Sequence, residues 1–186
     1  MRIIAGTLKG RRLLGPSDLS RRRQPAADLR PTSDRLRETL FNVLGPSIAG
    51  ARVLDLFAGT GAVGLEAISR GAAHATFVER DAAALDLIRD NVRRCGAQAA
   101  STMLAGDAAA PAGAGAAGPY DVVFVDPPYG AIDLSVAIEA VAPLAAPGAI
   151  CILEHSSRRD SPASAGGWRR TRVLEAGDSA LSFYSL

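Results

Sequence analysis

The sequence predicts an α/β fold: a mostly parallel, doubly wound sheet of seven strands with a C-terminal antiparallel hairpin and a basic N-terminal extension. Three observations predict it. From residue 51 onward, short apolar runs alternate with stretches of helical period. The run Val122-Val123-Phe124-Val125 is continuously apolar, as in a parallel strand buried on both faces. The last twenty residues lose the helical period and read as two runs about a polar turn.

In chain order, Arg2 to Ala5 and Arg12 to Leu14 flank Gly6-Thr7-Leu8-Lys9-Gly10 and read as a short basic hairpin whose glycines supply the turn. Residues 15 to 30, rich in Pro, Ser, Asp and Arg, read as a mobile arm. A helix is expected from Thr32-Ser33-Asp34, where a hydroxyl can cap it; Leu36, Leu40, Phe41 and Leu44 form its apolar stripe and Gly45-Pro46 ends it. The alternating series follows as strand Arg52 to Phe57, helix Gly61 to Arg70, strand Ala75 to Glu79 and helix Asp81 to Cys95. It continues as strands Thr102 to Ala105 and Tyr120 to Asp126, helix Leu134 to Val141 and strand Ile150 to Glu154. Between them, Gly106 to Pro119 is an Ala/Gly/Pro tract, too small in side chain to pack well, and is expected on the surface as a loop or weak helix. Trp168 to Glu175 and Ala180 to Leu186 make the final hairpin, with Trp168 in the core. Residues 1–45 thus read as a basic hairpin, arm and helix packed on a main domain of residues 46–186, the whole forming one structural unit.

A chain of 186 residues with 48% hydrophobic and 22% charged residues fits one globular domain, and no apolar run approaches the roughly 20 residues a bilayer requires. No signal-peptide core follows Met1, so a cytoplasmic protein is expected. Cys95 and Cys151 lie outside any metal-ligand spacing and are expected as reduced, buried thiols; no metal is expected, and the lone His74 and His155 receive no role. The net charge of +2 hides an asymmetry, because residues 1–40 carry +6 and residues 41–186 carry −4. Such a segment suits a phosphate backbone, although a solvated tail would look the same.

The sharpest local signal is Val53-Leu54-Asp55-Leu56-Phe57-Ala58-Gly59-Thr60-Gly61-Ala62-Val63-Gly64, a buried strand, a glycine turn and the start of a helix. Glycines at the turn let backbone approach a ligand, and the helix N-terminus offers unpaired N–H groups. Glu79 ends the next strand, where a carboxylate can accept both hydroxyls of a ribose, with Arg80 beside it. NAD and S-adenosylmethionine both satisfy these features. Asp55 favours the methyl donor, because an acid before the turn suits the ammonium of a methionine tail and repels a pyrophosphate; it would equally serve as a turn-bonding carboxylate. Asp107, with Ala108, follows the third strand and is either a contact to an adenine amino group or a turn residue.

Asp126-Pro127-Pro128-Tyr129 ends the fourth strand, at the edge where open α/β sheets place ligands. The prolines fix the backbone and donate no N–H, so the Pro127 carbonyl is held beside the Asp126 carboxylate. Two acceptors facing one exocyclic amine would favour the tetrahedral nitrogen that can attack a methyl group, and Tyr129 offers a face to stack on the base.

Arg2-Ile3-Ile4-Ala5-Gly6 with Lys9-Gly10-Arg11, Arg30-Pro31-Thr32-Ser33-Asp34-Arg35-Leu36-Arg37-Glu38-Thr39-Leu40-Phe41, the glycine turn and Asp-Pro-Pro-Tyr together resemble the bacterial 16S ribosomal RNA guanine-N2 methyltransferases of the RsmD type. The resemblance implies a Rossmann-like class I methyltransferase, S-adenosyl-L-methionine as cofactor, and a guanine of 16S rRNA, within the small ribosomal subunit or its precursor, as acceptor. It implies cofactor contacts from Asp55, the turn Phe57, Ala58, Gly59, Thr60 and Gly61, Glu79, Arg80, Asp107, Ala108 and, where the helix closes over the methionine end, Thr32. Catalysis would fall to Asp126, Pro127, Pro128 and Tyr129, and rRNA contacts to Arg2, Lys9, Arg11, Arg12, Arg30 and Arg35. A monomer is expected. The runner-up readings are an adenine-N6 or cytosine-N4 nucleic-acid methyltransferase and a non-catalytic RNA-binding assembly factor.

Overall fold

The computed structural model describes residues 1–19, 34–130 and 132–186, so Arg30, Thr32 and the Arg21-Arg22-Arg23 run lie outside the described residues. Five parallel strands form the sheet's first half: β1 (Arg52–Leu56), β2 (His74–Glu79), β3 (Ser101–Ala105), β4 (Tyr120–Val125) and β5 (Ala145–Ser156). The second half is antiparallel, with β6 (Ser164–Ala165), β7 (Trp168–Ala176) and β8 (Ser179–Ser185), in the order β3-β2-β1-β4-β5-β8-β7-β6. The seven expected strands are all present, and the two-residue β6 extends the edge. β5 begins five residues earlier than the apolar run indicated, since Pro147 and Gly148 mask a segment that pairs through a register shift opposite Tyr120 and Val122.

Among the described residues the helices are α1 (Pro16–Leu19), α2 (Asp34–Leu44), α3 (Ala62–Ser69), α4 (Ala82–Cys95) and α5 (Leu134–Glu139). They cover both faces of the sheet, which is why its central strands are apolar throughout. On one face Leu36, Leu40, Phe41, Leu65, Ile88 and Val92 share a core with Ile3 and Leu13 of the N-terminal segment. On the other, Leu134 and Ile138 pack with Trp168, which is fully buried as expected.

Two expectations need correction. The first part of the proposed mobile arm is ordered as α1, where Asp18 accepts from the Gly15 N–H at 2.9 Å. The Ala/Gly tract forms turns rather than a helix, yet Ala108 and Ala116 are buried in the second core. Within the tract a Cβ on Gly106 would lie 2.5 Å from the Ala114 methyl, so small size here is a packing solution.

The N-terminal hairpin is a tight loop with one bridge, Arg2 to Arg12, and Ile3 exchanging bonds with Arg11 and Gly10. Gly6 has φ +82°, and a Cβ there would meet the Ser69 carbonyl, so only glycine lets the loop rest on the end of α3. Its anchor is Glu66. That fully buried carboxylate accepts from the Ile4 N–H (2.8 Å) and Ala5 N–H (3.0 Å), pairs with Arg70 Nε (2.8 Å) and lies 3.7 Å from Arg37 Nε. Arg37, also fully buried, donates to the Arg2 carbonyl at 2.6 Å and to Asp34 at 3.0 Å. Burial pushes its guanidinium below its usual range, and Asp34 and Glu66 oppose that shift.

Replacing Glu66 strands a buried cation and three donors. Glu66→Ala is expected to lower the free energy of unfolding by about 3–5 kcal/mol, measured by urea titration, and to speed amide exchange at Ile4 and Ala5. A loss under about 1 kcal/mol would show that the hairpin does not depend on this pair.

Candidate functional site

The strand registers bring the motif residues to one level at the carboxyl edge. Leu56 lies opposite both Val78 and Val125, Glu79 lies opposite Ala105, and Val125 opposite Leu153. The next residues, Phe57, Asp126 and Glu154, therefore emerge side by side, with Glu79 next to Phe57. From β1 the chain winds to β2 and β3 in one direction and to β4 and β5 in the other. The crevice between β1 and β4 is thus the topological switch point, where such sheets bind ligands. An Asp126 N–H bond to the Leu56 carbonyl (3.4 Å) closes its floor.

The turn after β1 is built for close approach. Phe57 has φ +58°, a left-handed conformation that costs a non-glycine residue of order 1–3 kcal/mol and marks functional sites. Gly59 and Gly61 follow at φ +54° and +73°, and Gly61 precedes α3 as its N-cap. Gly64 does other work: a Cβ there would sit 2.3 Å from Phe77, so its absence lets α3 lie on β2.

Two acids lie beneath this turn. The Asp55 carboxylate is buried and accepts from the Gly64 N–H at 2.9 Å, so the turn-bonding role weighed for it is present. Burial pushes its pKa up to about 7; the Gly64 bond opposes that and the nearby Glu79 adds to it. The Glu79 carboxylate is held by three backbone donors, Gly59 N–H (3.1 Å), Arg80 N–H (2.8 Å) and Asp81 N–H (2.9 Å), which fix it at the mouth of the turn. Two acids under one glycine loop occupy its N–H donors, leaving few for a pyrophosphate, and offer oxygens to the ammonium and ribose hydroxyls of a cationic ligand. This acceptor set fits S-adenosylmethionine and disfavours a dinucleotide.

The remaining predicted residues sort by exposure. Arg80 is exposed, Thr60 is buried, and Asp107 is exposed with Oδ1 accepting from the Ala109 N–H at 2.9 Å, the geometry of a turn residue. Ala108 turns its methyl into the core. At the corner Asp126 is half-buried, Pro127 buried and Pro128 exposed. Tyr129 is 44% exposed, and its hydroxyl is 2.9 Å from Ser179 Oγ. Arg2, Lys9, Arg11, Arg12 and Arg35 are exposed, with Arg11 bonded to the Arg94 carbonyl at the end of α4.

Sequence reasoning missed Asn91. Its amide bonds the Leu14 N–H (2.7 Å), the Leu14 carbonyl (3.1 Å) and the Thr60 carbonyl (2.9 Å), tying the N-terminal segment to the glycine turn. The available signal was a polar residue on the apolar stripe of α4, with Leu87, Ile88 and Cys95 around it. Cys95 and Cys151 are free and buried, as expected, and burial raises both thiol pKa values. His155 is a satisfied core residue, bonded to Ser182 Oγ at 2.8 Å and to the Ser156 carbonyl at 2.9 Å. Among the described residues no group of metal-ligating side chains occurs, and no helix is long and apolar enough to cross a membrane.

Residues 1–185 match the family model described as Conserved hypothetical protein 95. The chain is 36% identical to Ribosomal RNA small subunit methyltransferase D of Escherichia coli (strain K12), over 99% of this chain and 89% of that protein. It is 33% identical to the Putative rRNA methyltransferase YlbH of Bacillus subtilis (strain 168), over 99% of this chain and 98% of that one. The solved structure of the putative methyltransferase yhhF from Escherichia coli superposes with a TM-score of 0.82 at 36% identity, covering 100% of this chain and 97% of its own.

The Asp55 environment sets a pH test. Its carboxyl is protonated in the folded state up to about pH 7 but ionises near pH 4 when unfolded, so folding loses stability across that window and has lost it fully above. Asp55→Asn keeps an acceptor for Gly64 without the charge. Its melting temperature is expected to gain on wild type between about pH 4 and pH 7; a pH-independent difference would show an ordinary Asp55 pKa.

Proposed function

The chain belongs to the RsmD-type family described as Conserved hypothetical protein 95, and from that premise we propose that it methylates the exocyclic N2 amine of a guanine in 16S rRNA, using S-adenosyl-L-methionine. Its relatives' names support the coarser part of this reading, methyl transfer to small-subunit rRNA. The observation that carries the chemistry is the placement of Asp126 one strand away from the glycine turn at the switch point.

S-adenosylmethionine, when bound, supplies a sulfonium-activated methyl group. Everything else is alignment and proton handling by the chain. The turn Phe57 to Gly61 would bring backbone close to the cofactor, Glu79 would accept from the ribose hydroxyls, and Asp55 would serve the ammonium. At the corner, the Asp126 carboxylate and the Pro127 carbonyl accept the two protons of the target amine. This localises a lone pair otherwise delocalised into the ring. When that methyl group is transferred, the amine nitrogen would shed one proton to the Asp126 carboxylate. Pro127 and Pro128 keep both acceptors in place, and Tyr129 stacks on the base. Holding the groups aligned contributes up to roughly 7–11 kcal/mol of the barrier reduction. The base reaches this crevice only unpaired or flipped. Arg2, Lys9, Arg12 and Arg35, exposed beside the site's N-terminal cover, contact rRNA phosphates.

With labelled donor and small-subunit particles from a strain lacking the enzyme, wild type is expected to place label on a guanine N2 of 16S rRNA. Asp126→Ala should lower turnover by at least about 100-fold while particle binding persists. Undiminished turnover in that variant would sink the mechanism, and label on an adenine or cytosine amine, or only on DNA, would overturn the substrate.

A further inference from the structure

The charge of the chain is not simply basic in front and acidic behind. Residues 41–156 carry −6, with six arginines against twelve acids, whereas residues 157–172 return to +4, holding Arg158, Arg159, Arg169, Arg170 and Arg172 against Asp160. All five arginines are exposed. They lie where β5 ends and along β7, whose outer edge is paired by β6 only at Trp168 and Arg169.

The β5 end of this basic segment adjoins the corner, and the β7 arginines line the sheet below it: in register Arg172 is level with Phe124 and Arg169 with Val122, two and four residues before Asp126. The turn between β7 and β8 is tied to the end of β5 by the Ser157 N–H bond to the Asp178 carbonyl (2.9 Å) and by Ser157 Oγ to the Gly177 carbonyl (3.1 Å). On its other side, Ser179 meets the Tyr129 hydroxyl at 2.9 Å. In register, Arg172 lies opposite Phe183, which shares a core with Leu36, Leu40 and Phe41 of α2. Its side chain therefore projects on the face that also carries the N-terminal hairpin.

We propose that the C-terminal hairpin is a second RNA-contacting surface, in which Arg159, Arg169 and Arg172 bind backbone phosphates flanking the base held at Asp126 and Tyr129. The inference rests on the substrate reading above and adds to it the surface that grips the far side of the RNA. An exposed guanidinium matches phosphate geometry through paired donors. Cations on an edge strand also discourage strand addition, but Arg158 and Arg159 lie beyond the sheet, where there is no edge to protect. Two arginines are committed elsewhere and stay out of the test. Arg170 donates to the Ser161 carbonyl and hydroxyl, at 2.5 and 2.9 Å, and Arg158 pairs with Asp178 at 3.5 Å.

The test is the triple variant R159Q/R169Q/R172Q, with affinity for a 16S rRNA fragment measured across a salt series. Affinity is expected to fall about tenfold or more at low salt, and the slope of log K against log salt to lessen by about 2 to 3, one phosphate for each arginine. Thermal stabilisation by S-adenosylhomocysteine should match wild type, which shows the domain intact. Equal affinity and slope in variant and wild type would overturn the surface alone, as would a change in solubility with RNA binding untouched. Wild type that binds no rRNA would sink the substrate reading and this surface with it.

Discussion

A carboxylate without access to water cannot stay charged unless its partners are in place, and Glu66 in the middle of α3 has four of them. Two are backbone donors from the N-terminal hairpin, one is Arg37 from α2 and one is Arg70 from the next turn of its own helix. Arg37 in turn holds the Arg2 carbonyl, and Arg70 lies over the Phe41 ring at 5.0 Å. Hairpin, α2 and α3 are thereby made interdependent, because losing any one leaves a buried charge uncompensated. Since α3 opens on the glycine turn, the same pair fixes the N-terminal segment against the ligand crevice.

Electrostatics at the crevice follow a different logic. Burial pushes the Asp55 pKa up to about 7, and the nearby Glu79 adds to that shift. Backbone N–H groups at a helix start normally attract anions. Here those of Gly59 and Gly64 are already taken by the two acids. The donors that elsewhere cradle a pyrophosphate are thereby withdrawn from an anion. The strained Phe57 conformation belongs to the same device, since it turns the chain sharply out of β1 above these carboxylates.

Charge is also divided by task across the surface. The parallel body is acidic, and positive residues gather on the N-terminal hairpin and on the segment from Arg158 to Arg172. Both hairpins are additions at the periphery of the parallel sheet; the N-terminal segment is tied to the glycine turn through Asn91, and the turn of the C-terminal one meets Tyr129 at Ser179. A polyanion is thus favoured around the crevice, while the crevice itself favours a cation.

The fold was legible because hydrophobic period is a local property: continuous apolar runs, glycine turns and amphipathic stretches placed every major strand and α2 to α5 within a few residues. The corner and the glycine turn were legible for the same reason, as contiguous residues at strand ends whose level is set by parallel register. Contacts between distant segments were not. Glu66, Arg37 and Asn91 carry little local mark except polarity on an apolar stripe, and apart from Arg70 and Asp34 their partners lie 31 to 77 residues away or on a neighbouring helix. The tract Gly106 to Pro119 looked unfit to pack because volume cannot be judged without the gap it fills. The sequence by itself thus determined the sheet and the placement of the glycine turn and the Asp126 corner at its carboxyl edge. Only tertiary structure decided which arginine is buried as a strut and which face solvent, because burial is fixed by the elements that close over a residue rather than by its neighbours in the chain.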